Sequence, residues 1–310
     1  MSFRSFELIP KGKLARNEAM WFYIFISPWL IGFIIFTLYP IVASAYFSLT
    51  IYDIVRAPRW IGLGNYAELL DDKLFWQSLK VTFYYTGLAV PLTTVAALSL
   101  AQLLNQRVPF LSVFRTVYYL PSIVTGVAVA LLWQWILNPE FGLVNYLLSS
   151  LFGIKGPGWF FDKSWAIPSY VLMSLWGLGA PMIIYLAALQ NVPTELYEAA
   201  QLDGAGPWKR FRHITIPMIS PVILFNVIVG IIGSFQVFTQ IYVITTGRGG
   251  PSYASLVYVL YLFQNAFRNF RMGYASAQAW ILFWIIFALT VAALRVSRRR
   301  VYYESPGENI

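Results

Sequence analysis

Long apolar runs without a single charged residue dominate the chain. A helix needs ~20 apolar residues to cross ~30 Å of hydrocarbon. Runs free of Asp, Glu, Lys and Arg reach that length six times, and they predict membrane-spanning helices at approximately 20–50, 81–106, 114–138, 164–190, 217–243 and 272–294. The predicted fold class is therefore all-α: a polytopic membrane protein in which residues 1–310 form a single transmembrane domain.

A seventh apolar run, 249–267, is too short in its strongly apolar part to cross a membrane. Both tails are rich in Lys and Arg, and such residues favour the cytoplasmic side. With both tails cytoplasmic the number of spans must be even, so six fit and seven do not. The loops then alternate, with 53–80, 140–163 and 248–271 outside and with 107–115 and 195–212 inside. Whether 249–267 is re-entrant or lies on the surface stays open.

Composition agrees with a lipid environment. Hydrophobic residues make up 58% of the chain and charged residues only 11%, with a mean hydropathy of +0.63. The net charge of +9 comes from Lys and Arg at the ends and in short loops, a distribution that does not favour nucleic-acid binding. The chain has no cysteine and a single histidine, His213, which excludes disulfides, Cys-ligated zinc, thiol catalysis and multi-histidine metal sites.

Ion-coupled transporters usually carry ionisable groups near the middle of the membrane, and none lies well inside these runs. The phosphate-binding pattern G-x-x-x-x-G-K-[ST] is also absent, so uphill transport requires energy from another subunit. A secondary transporter or channel for a small polar solute remains an alternative. Another is an intramembrane enzyme, for which Asp71 and Asp72 form the one paired carboxylate worth naming.

The inside loop 191–217 contains residues that are typical of helix starts and helix ends. Pro193 and Thr194 suit a helix start, and Gly204 suits the position after a helix end, where a positive φ is needed. Pro207 then suits the first turn of a second helix. The loop therefore predicts two short helices in series.

The order of residues in this loop resembles a known motif. Glu198-Ala199-Ala200, Asp203-Gly204-Ala205, Phe211, Ile214 and Pro217 match the EAA loop of binding-protein-dependent ABC importer permeases. Further stretches are similar to permeases of carbohydrate-uptake importers, nearest the maltose-transporter-like and glycerol-phosphate-transporter-like group: Gly64-Asn65-Tyr66, Phe114-Arg115, Leu120-Pro121, Gly233–Pro251, Ala266-Phe267 and Gly273-Tyr274-Ala275.

The resemblance implies the type I ABC importer permease fold, with both ends cytoplasmic. It implies a permease subunit, not an enzyme, of an ATP-driven importer of a sugar or sugar-like solute that works by alternating access. The implied partners are a second homologous permease subunit, two copies of a cytoplasmic ATPase, an extracytoplasmic solute-binding protein and membrane lipid. This chain would bind no cofactor itself, because ATP and Mg²⁺ would sit on the ATPase. The implied location is a bacterial or archaeal plasma membrane, which is the inner membrane in Gram-negative cells.

The resemblance also assigns residues to roles. Those that would contact the ATPase through a coupling helix are Glu198, Ala199, Ala200, Asp203, Gly204, Ala205, Phe211 and Pro217. Those expected along the substrate pathway are Trp176, Gly177, Ala180, Gly230, Ser234 and Val237, to which their polar side chains add Gln236 and Gln240. For each pathway residue, helix packing is an equal alternative. The identity of the sugar and that of the second permease stay open.

Overall fold

A computed structural model describes residues 12–106 and 109–297. The charges at Arg4, Lys11 and 298–300, on which the cytoplasmic placement of the tails depends, lie outside this range. Helices dominate the described part of the chain: α1 Lys13–Phe33, α2 Tyr39–Ser48, α3 Gly64–Asp71, α4 Lys73–Leu104, α5 Leu111–Tyr119, α6 Gly126–Ile136, α7 Leu143–Phe152, α8 Ala166–Ser174, α9 Gly179–Gln190, α10 Thr194–Leu202, α11 Pro207–Arg210, α12 Ile216–Met218, α13 Ser220–Phe235, α14 Thr239–Thr245, α15 Tyr258–Phe263 and α16 Met272–Ser297.

Short segments complete the secondary structure. Two strands pair antiparallel with Thr50 opposite Trp60: β1 Thr50–Ile51 and β2 Arg59–Trp60. Single 3₁₀ turns occur at Leu120–Ile123, Trp159–Phe161, Leu175–Gly177 and Pro251–Tyr253, and π-helical turns at Ile34–Leu38, Phe211–Thr215 and Gln264–Arg268.

Within the described residues, four helical stretches are long and apolar enough to cross a membrane: Arg16–Ser48, Lys73–Leu104, Ser220–Thr245 and Met272–Ser297. Two further candidates are bent pairs. Leu111–Ile123 and Gly126–Ile136 meet at 101°, and Ala166–Gly177 and Gly179–Gln190 meet at 52°. The count is therefore four, or six if each bent pair is one span.

Two buried apolar clusters mark the two ends of the helical bundle. The cluster that we call the loop cluster contains Leu104, Val192 and Ile219, so it lies beside the loop 191–217. The cluster that we call the far cluster contains Phe75 and Tyr258. Helix α4 runs from Phe75 in the far cluster to Leu104 in the loop cluster and so fixes the direction across the molecule.

Each bent pair connects the two clusters. Leu111 at the start of α5 packs against the loop cluster, whereas Leu137 just after α6 belongs to the far cluster. In the other pair, Ile167 of α8 belongs to the far cluster and Leu189 of α9 to the loop cluster. Both pairs therefore run from one cluster to the other as broken spans, and counted in this way the spans number six, as predicted.

The span boundaries differ from those read off the sequence. Helix α4 begins at Lys73, not near 81, and includes Lys80. An uncharged run marks only the part of a helix that lies in hydrocarbon, whereas 32 residues extend over about 48 Å, well beyond ~30 Å. Pro91 lies within this unbroken helix, while the chain does bend beside Pro121.

The doubtful run 249–267 is folded into the far cluster. Leu256 and Val257 are fully buried, and the backbone N–H of Tyr258 donates to Thr82 Oγ1 of α4 at 2.8 Å. Its helix α15 is only 6 residues long. The run thus does not cross the bundle, and its middle part is buried rather than exposed on the surface.

The end of the first span is held by residues from distant parts of the chain. Asn65 Nδ2 donates to the carbonyl oxygens of Ser48 and Thr50, at 2.8 and 2.9 Å. The backbone N–H of Gly273 donates to the carbonyl of Tyr52 at 3.1 Å, and a Cβ at this glycine would lie 2.0 Å from the Thr50 oxygen. Asn65 and Gly273, both within stretches similar to permeases, therefore have a structural role.

Candidate functional site

Three breaks in helices lie close together between the two clusters. They fall at 124–125, at Leu178 and at 236–238. A Cβ at Gly179 would lie 2.7 Å from Tyr119 Cα, so the first two broken spans touch backbone to backbone. A Cβ at Gly126 would lie 3.3 Å from Gln240 Nε2, which brings the third break alongside.

Irregular backbone at membrane depth has a cost, because hydrocarbon offers no hydrogen bonds to freed N–H and C=O groups. It is tolerated where it is buried in protein or lines a polar cavity. Three adjoining breaks at membrane depth therefore indicate a cavity with a functional role.

Two adjoining cavities lie at the breaks. One of about 390 Å³, which we call the central cavity, lies between the two bent pairs and the start of α14. The other, of about 420 Å³, lies along α13 and the break after it, and we call it the side cavity. They share Tyr85, Val237 and Gln240 as lining residues.

The eight predicted pathway residues all line these cavities. Five line the central cavity and five the side cavity, with two common to both: Trp176, Gly177, Ala180, Val237 and Gln240 in the first, and Gly230, Ser234, Gln236, Val237 and Gln240 in the second. The residues selected on two separate segments of sequence are thus brought together in space. Their contact with a solute stays a prediction.

The lining combines flat aromatic surface with neutral hydrogen-bonding groups. Trp176 makes an edge-to-face contact with Trp133 at 5.9 Å between ring centroids, which orients its indole at the cavity. Gln240 adds an amide, and Ser122 and Ser174 add hydroxyls to the central cavity. Such a surface can stack on one face of a sugar ring and hydrogen-bond to its hydroxyl groups.

Sequence reasoning missed the contribution of α4. Tyr85, only 7% exposed, lines both cavities, whereas its neighbour Tyr84 is 50% exposed and lines neither of them. Tyr170 of α8 is a second buried tyrosine at the central cavity. Adjacent tyrosines in an uncharged run give no signal to tell which one faces inward, so only the helix phase in the structure identifies Tyr85.

The loop 191–217 has the predicted local structure. Helix α10 ends at Leu202, and Gly204 adopts a φ of +76°. The N–H of Ala205 donates to the Ala200 carbonyl at 2.9 Å, and the N–H of Gly204 donates to the Gln201 carbonyl at 3.0 Å. This pair of bonds is a Schellman motif, which requires a left-handed residue after the helix.

The second part of the loop folds back onto the bundle. Helix α11 begins at Pro207, as predicted, and the chain stays helical through a π turn to Met218. The hydroxyls of Tyr197 and Thr215 hydrogen-bond at 2.8 Å and so join the two arms of the loop. Tyr197 also packs against the loop cluster, which anchors the loop to the spans.

The predicted coupling residues divide by exposure. Glu198, Ala199, Asp203 and Gly204 are exposed, whereas Ala200, Ala205, Phe211 and Pro217 are half-buried. The ring of Phe211 stacks on Trp208 at 5.6 Å, and Leu202 is 91% exposed although it is apolar. An exposed apolar residue beside a rigid turn is suited to contact with another protein. The docking role of these residues stays a prediction.

Asp72, named for the enzyme alternative, has a structural function. Its Oδ1 accepts from the backbone N–H of Leu74 and caps α4, while its Oδ2 accepts from the hydroxyls of Tyr261 and Tyr274, each at 2.5 Å. Burial raises the pKa of this carboxyl, but the hydrogen bonds outweigh burial and hold the pKa below its usual 3.8. Nowhere in residues 12–106 and 109–297 do three or more His, Asp or Glu residues form a group that could hold a metal ion.

Comparison with known proteins decides the family. Residues 81–303 match the model of the binding-protein-dependent transport system inner membrane component family. The chain belongs to this family. The expected resemblance to ABC importer permeases is thereby confirmed, and the chain is a multi-pass membrane component whose relatives are transport subunits.

Similarity to individual permeases extends over nearly the whole chain. A probable ABC transporter permease protein of Bacillus subtilis, YesP, is 41% identical over 97% of this chain and 98% of its own length. The lactose transport system permease protein LacF of Rhizobium radiobacter is 34% identical over 90% of this chain and 94% of its own. A chain of a bacterial alginate ABC transporter, crystallised with a periplasmic protein bound to alginate pentasaccharide, matches with a TM-score of 0.80, 25% identity and coverage of 91% and 96%.

Proposed function

We propose that this permease is the transmembrane subunit of an ATP-driven, solute-binding-protein-dependent importer of a sugar or sugar-like solute, working by alternating access. The observation that carries the proposal is the convergence of the eight pathway residues on two cavities at three helix breaks. Relatives named for lactose transport and for alginate support a carbohydrate as the solute.

The proposed path runs between the two bent pairs. Trp176 would stack on the apolar face of a sugar ring, while Gln240 and Ser234 would hydrogen-bond to its hydroxyls. Displacement of each sugar hydroxyl from water is offset only if such partners are present in the cavity. A second homologous permease would complete the wall of the pathway.

The proposed coupling follows from how the loop is attached. Helix α9 begins at Gly179 beside the breaks and ends at Gln190, and α10 follows after three residues. A 12-residue helix extends over about 18 Å. A movement imposed on Glu198 and Gly204 by an ATPase would therefore reach the wall of the central cavity through one rigid element.

The proposal assigns the remaining components to other chains. Two copies of a cytoplasmic ATPase would hold ATP and Mg²⁺ and contact the loop 191–217, and an extracytoplasmic solute-binding protein would deliver the sugar. This end of the bundle and both tails would then be cytoplasmic, in a bacterial or archaeal plasma membrane. We propose residues 1–310 as one transmembrane domain.

Reconstitution with the candidate partner subunits tests the proposal. The wild-type transporter in liposomes should take up sugar with ATP, and binding protein with sugar should stimulate ATP hydrolysis. Glu198→Lys, which reverses an exposed charge, and Gly204→Asp, which strains a φ of +76°, should abolish both. Gly206→Asp is the matched control, because Gly206 has an ordinary φ and open space around it.

Two outcomes would contradict the proposal. Uptake driven by a proton or sodium gradient without ATP would identify a secondary transporter. Full assembly and coupling in both loop variants would show that the ATPase binds elsewhere on the chain.

A further inference from the structure

A third cavity lies at the opposite end of the bundle from the loop 191–217. It has a volume of about 770 Å³ and is formed between the end of α6 and the short helix α7. Trp135, Phe141 and Tyr146 supply aromatic surface, while Glu140 and Lys155 supply one negative and one positive charge. The pathway described above does not include this cavity.

The depth of α7 relative to the membrane follows from the residues that it packs against. The third span ends beside Leu137 and the fourth begins near Ile167, and both residues belong to the far cluster. Val144 and Leu148, on the inner side of α7, pack against the same cluster. Helix α7 therefore lies where two spans end, which is the level of lipid headgroups in a membrane.

The outer side of α7 is apolar. Leu143, Leu147 and Leu151 recur at i, i+4 and i+8, and all three are exposed, Leu151 by 69%. A helix of 10 residues extends over only about 15 Å and cannot cross a bilayer. An apolar face of this length at the end of a span has the form of a helix that lies in the membrane surface.

The segment after α7 is fixed under the cavity by Asn145. Its Oδ1 accepts from Trp159 Nε1 at 2.7 Å, and its Nδ2 donates to the Pro139 carbonyl at 3.1 Å. Gly156 lies so close that a Cβ there would be 1.9 Å from Oδ1. Lys155 is thereby held beside the cavity by a rigid turn.

We propose that α7 lies in the extracytoplasmic surface of the membrane that the spans cross, and that the cavity beneath it binds the headgroup of a zwitterionic amine phospholipid. Lys155 pairs with the phosphate and Glu140 with the ammonium, so the two charges of the rim match the two charges of the headgroup. Trp135 and Tyr146 are amphipathic aromatics of the kind that favour this depth. The apolar surface of the span end continues through Phe141 onto α7, which gives the acyl chains an unbroken surface.

Single cysteines test the position of α7, because the natural chain has none. Leu147→Cys and Leu151→Cys carry a nitroxide in the assembled transporter, reconstituted in liposomes of phosphatidylethanolamine and phosphatidylglycerol. Collision with oxygen should exceed collision with a water-soluble nickel chelate at both sites. Val55→Cys, at a residue 87% exposed between the two strands, is the aqueous control and should show the reverse.

Other occupants give different signals. Strong collision with nickel at 147 and 151 would place α7 in water and overturn the proposal. Weak collision with both reagents would mean that protein covers α7, which overturns it equally. Loss of oxygen collision only after addition of a solute-binding protein would show that α7 is that protein's docking surface, which overturns the proposal as well.

Native mass spectrometry tests the headgroup. The wild-type transporter should retain phosphatidylethanolamine in preference to phosphatidylglycerol. Lys155→Gln and Glu140→Gln should each lower its retention about fivefold, the effect expected for one charge near a membrane surface. Lys163→Gln is the matched control, since Lys163 is exposed on the following turn and does not line the cavity. Equal retention in all variants, or a preference for phosphatidylglycerol, would overturn the assignment.

Discussion

Gly179 and Tyr119 bring two broken spans into backbone contact. A Cβ at position 179 would lie 2.7 Å from Tyr119 Cα and 2.8 Å from the Tyr118 carbonyl oxygen. Neither atom is the end of a flexible side chain, so neither can move away without shifting a helix. The proximity of the two breaks, and with it the central cavity, depends on this glycine.

Gly179→Ala is expected to lower the free energy of unfolding by about 2 kcal/mol, because the added methyl group forces the two helices apart. Thermal unfolding of the purified permease and its yield in membranes measure the effect. Gly177→Ala is the control, since nothing lies within 4 Å of a Cβ there. Equal stability of the two variants would contradict the close contact.

Tyr85→Leu is expected to raise the sugar concentration for half-maximal uptake about tenfold, because the cavity wall loses a ring and a hydroxyl. Tyr85→Phe keeps the ring and separates stacking from hydrogen bonding. Uptake of labelled sugar into liposomes is the measurement. Tyr84→Leu, on the exposed side of the same helix, should match the wild type; an equal effect at both positions would remove Tyr85 from the pathway.

Asp72 predicts a loss of stability in acid. Hydrogen bonds lower the pKa of this carboxyl below 3.8 despite partial burial, so the folded state binds fewer protons than the unfolded state. The stabilisation is present above about pH 4 and is lost as the pH falls through the folded pKa. Asp72→Asn should flatten the acid limb of a melting-temperature profile, and an unchanged acid limb would contradict this role of Asp72.

Asn65→Asp is expected to destabilise the protein by about 3 kcal/mol or more, because a buried carboxylate would face the carbonyl oxygens of Ser48 and Thr50 in place of a donor. Chemical denaturation in detergent measures this cost. Asn17→Asp makes the same exchange on the exposed surface of α1 and should cost little. A small effect at both sites would refute the role of Asn65 in holding the end of the first span.

Features of the fold that depend on composition or on local backbone chemistry could be predicted from the sequence. The spans follow from uncharged runs because hydrocarbon excludes charge. The turn at Gly204 follows from the conformational freedom of glycine, and the start of α11 follows from Pro207. The pathway residues around Trp176 and Gln240 lie at the cavities, but they were chosen largely by resemblance to permeases.

Other features depend on tertiary packing and leave no local signal. The break at 236–238 has no proline, and Pro91 does not break α4, so residue type alone does not locate the bends. The burial of 249–267 needs the partner surface of α4. Which of Tyr84 and Tyr85 faces the cavities depends on how α4 is rotated about its axis within the assembled bundle.

The loop cluster and the far cluster are packed separately, and the spans join them in two different ways. Helix α4 runs unbroken between the two ends, whereas the pairs α5 with α6 and α8 with α9 change direction midway. The bundle thus combines a continuous helix with spans that are divided into two half-helices. We expect its cavities to open by tilting of half-helices about the joints at 124–125 and Leu178, while the side chains inside each cluster keep their neighbours.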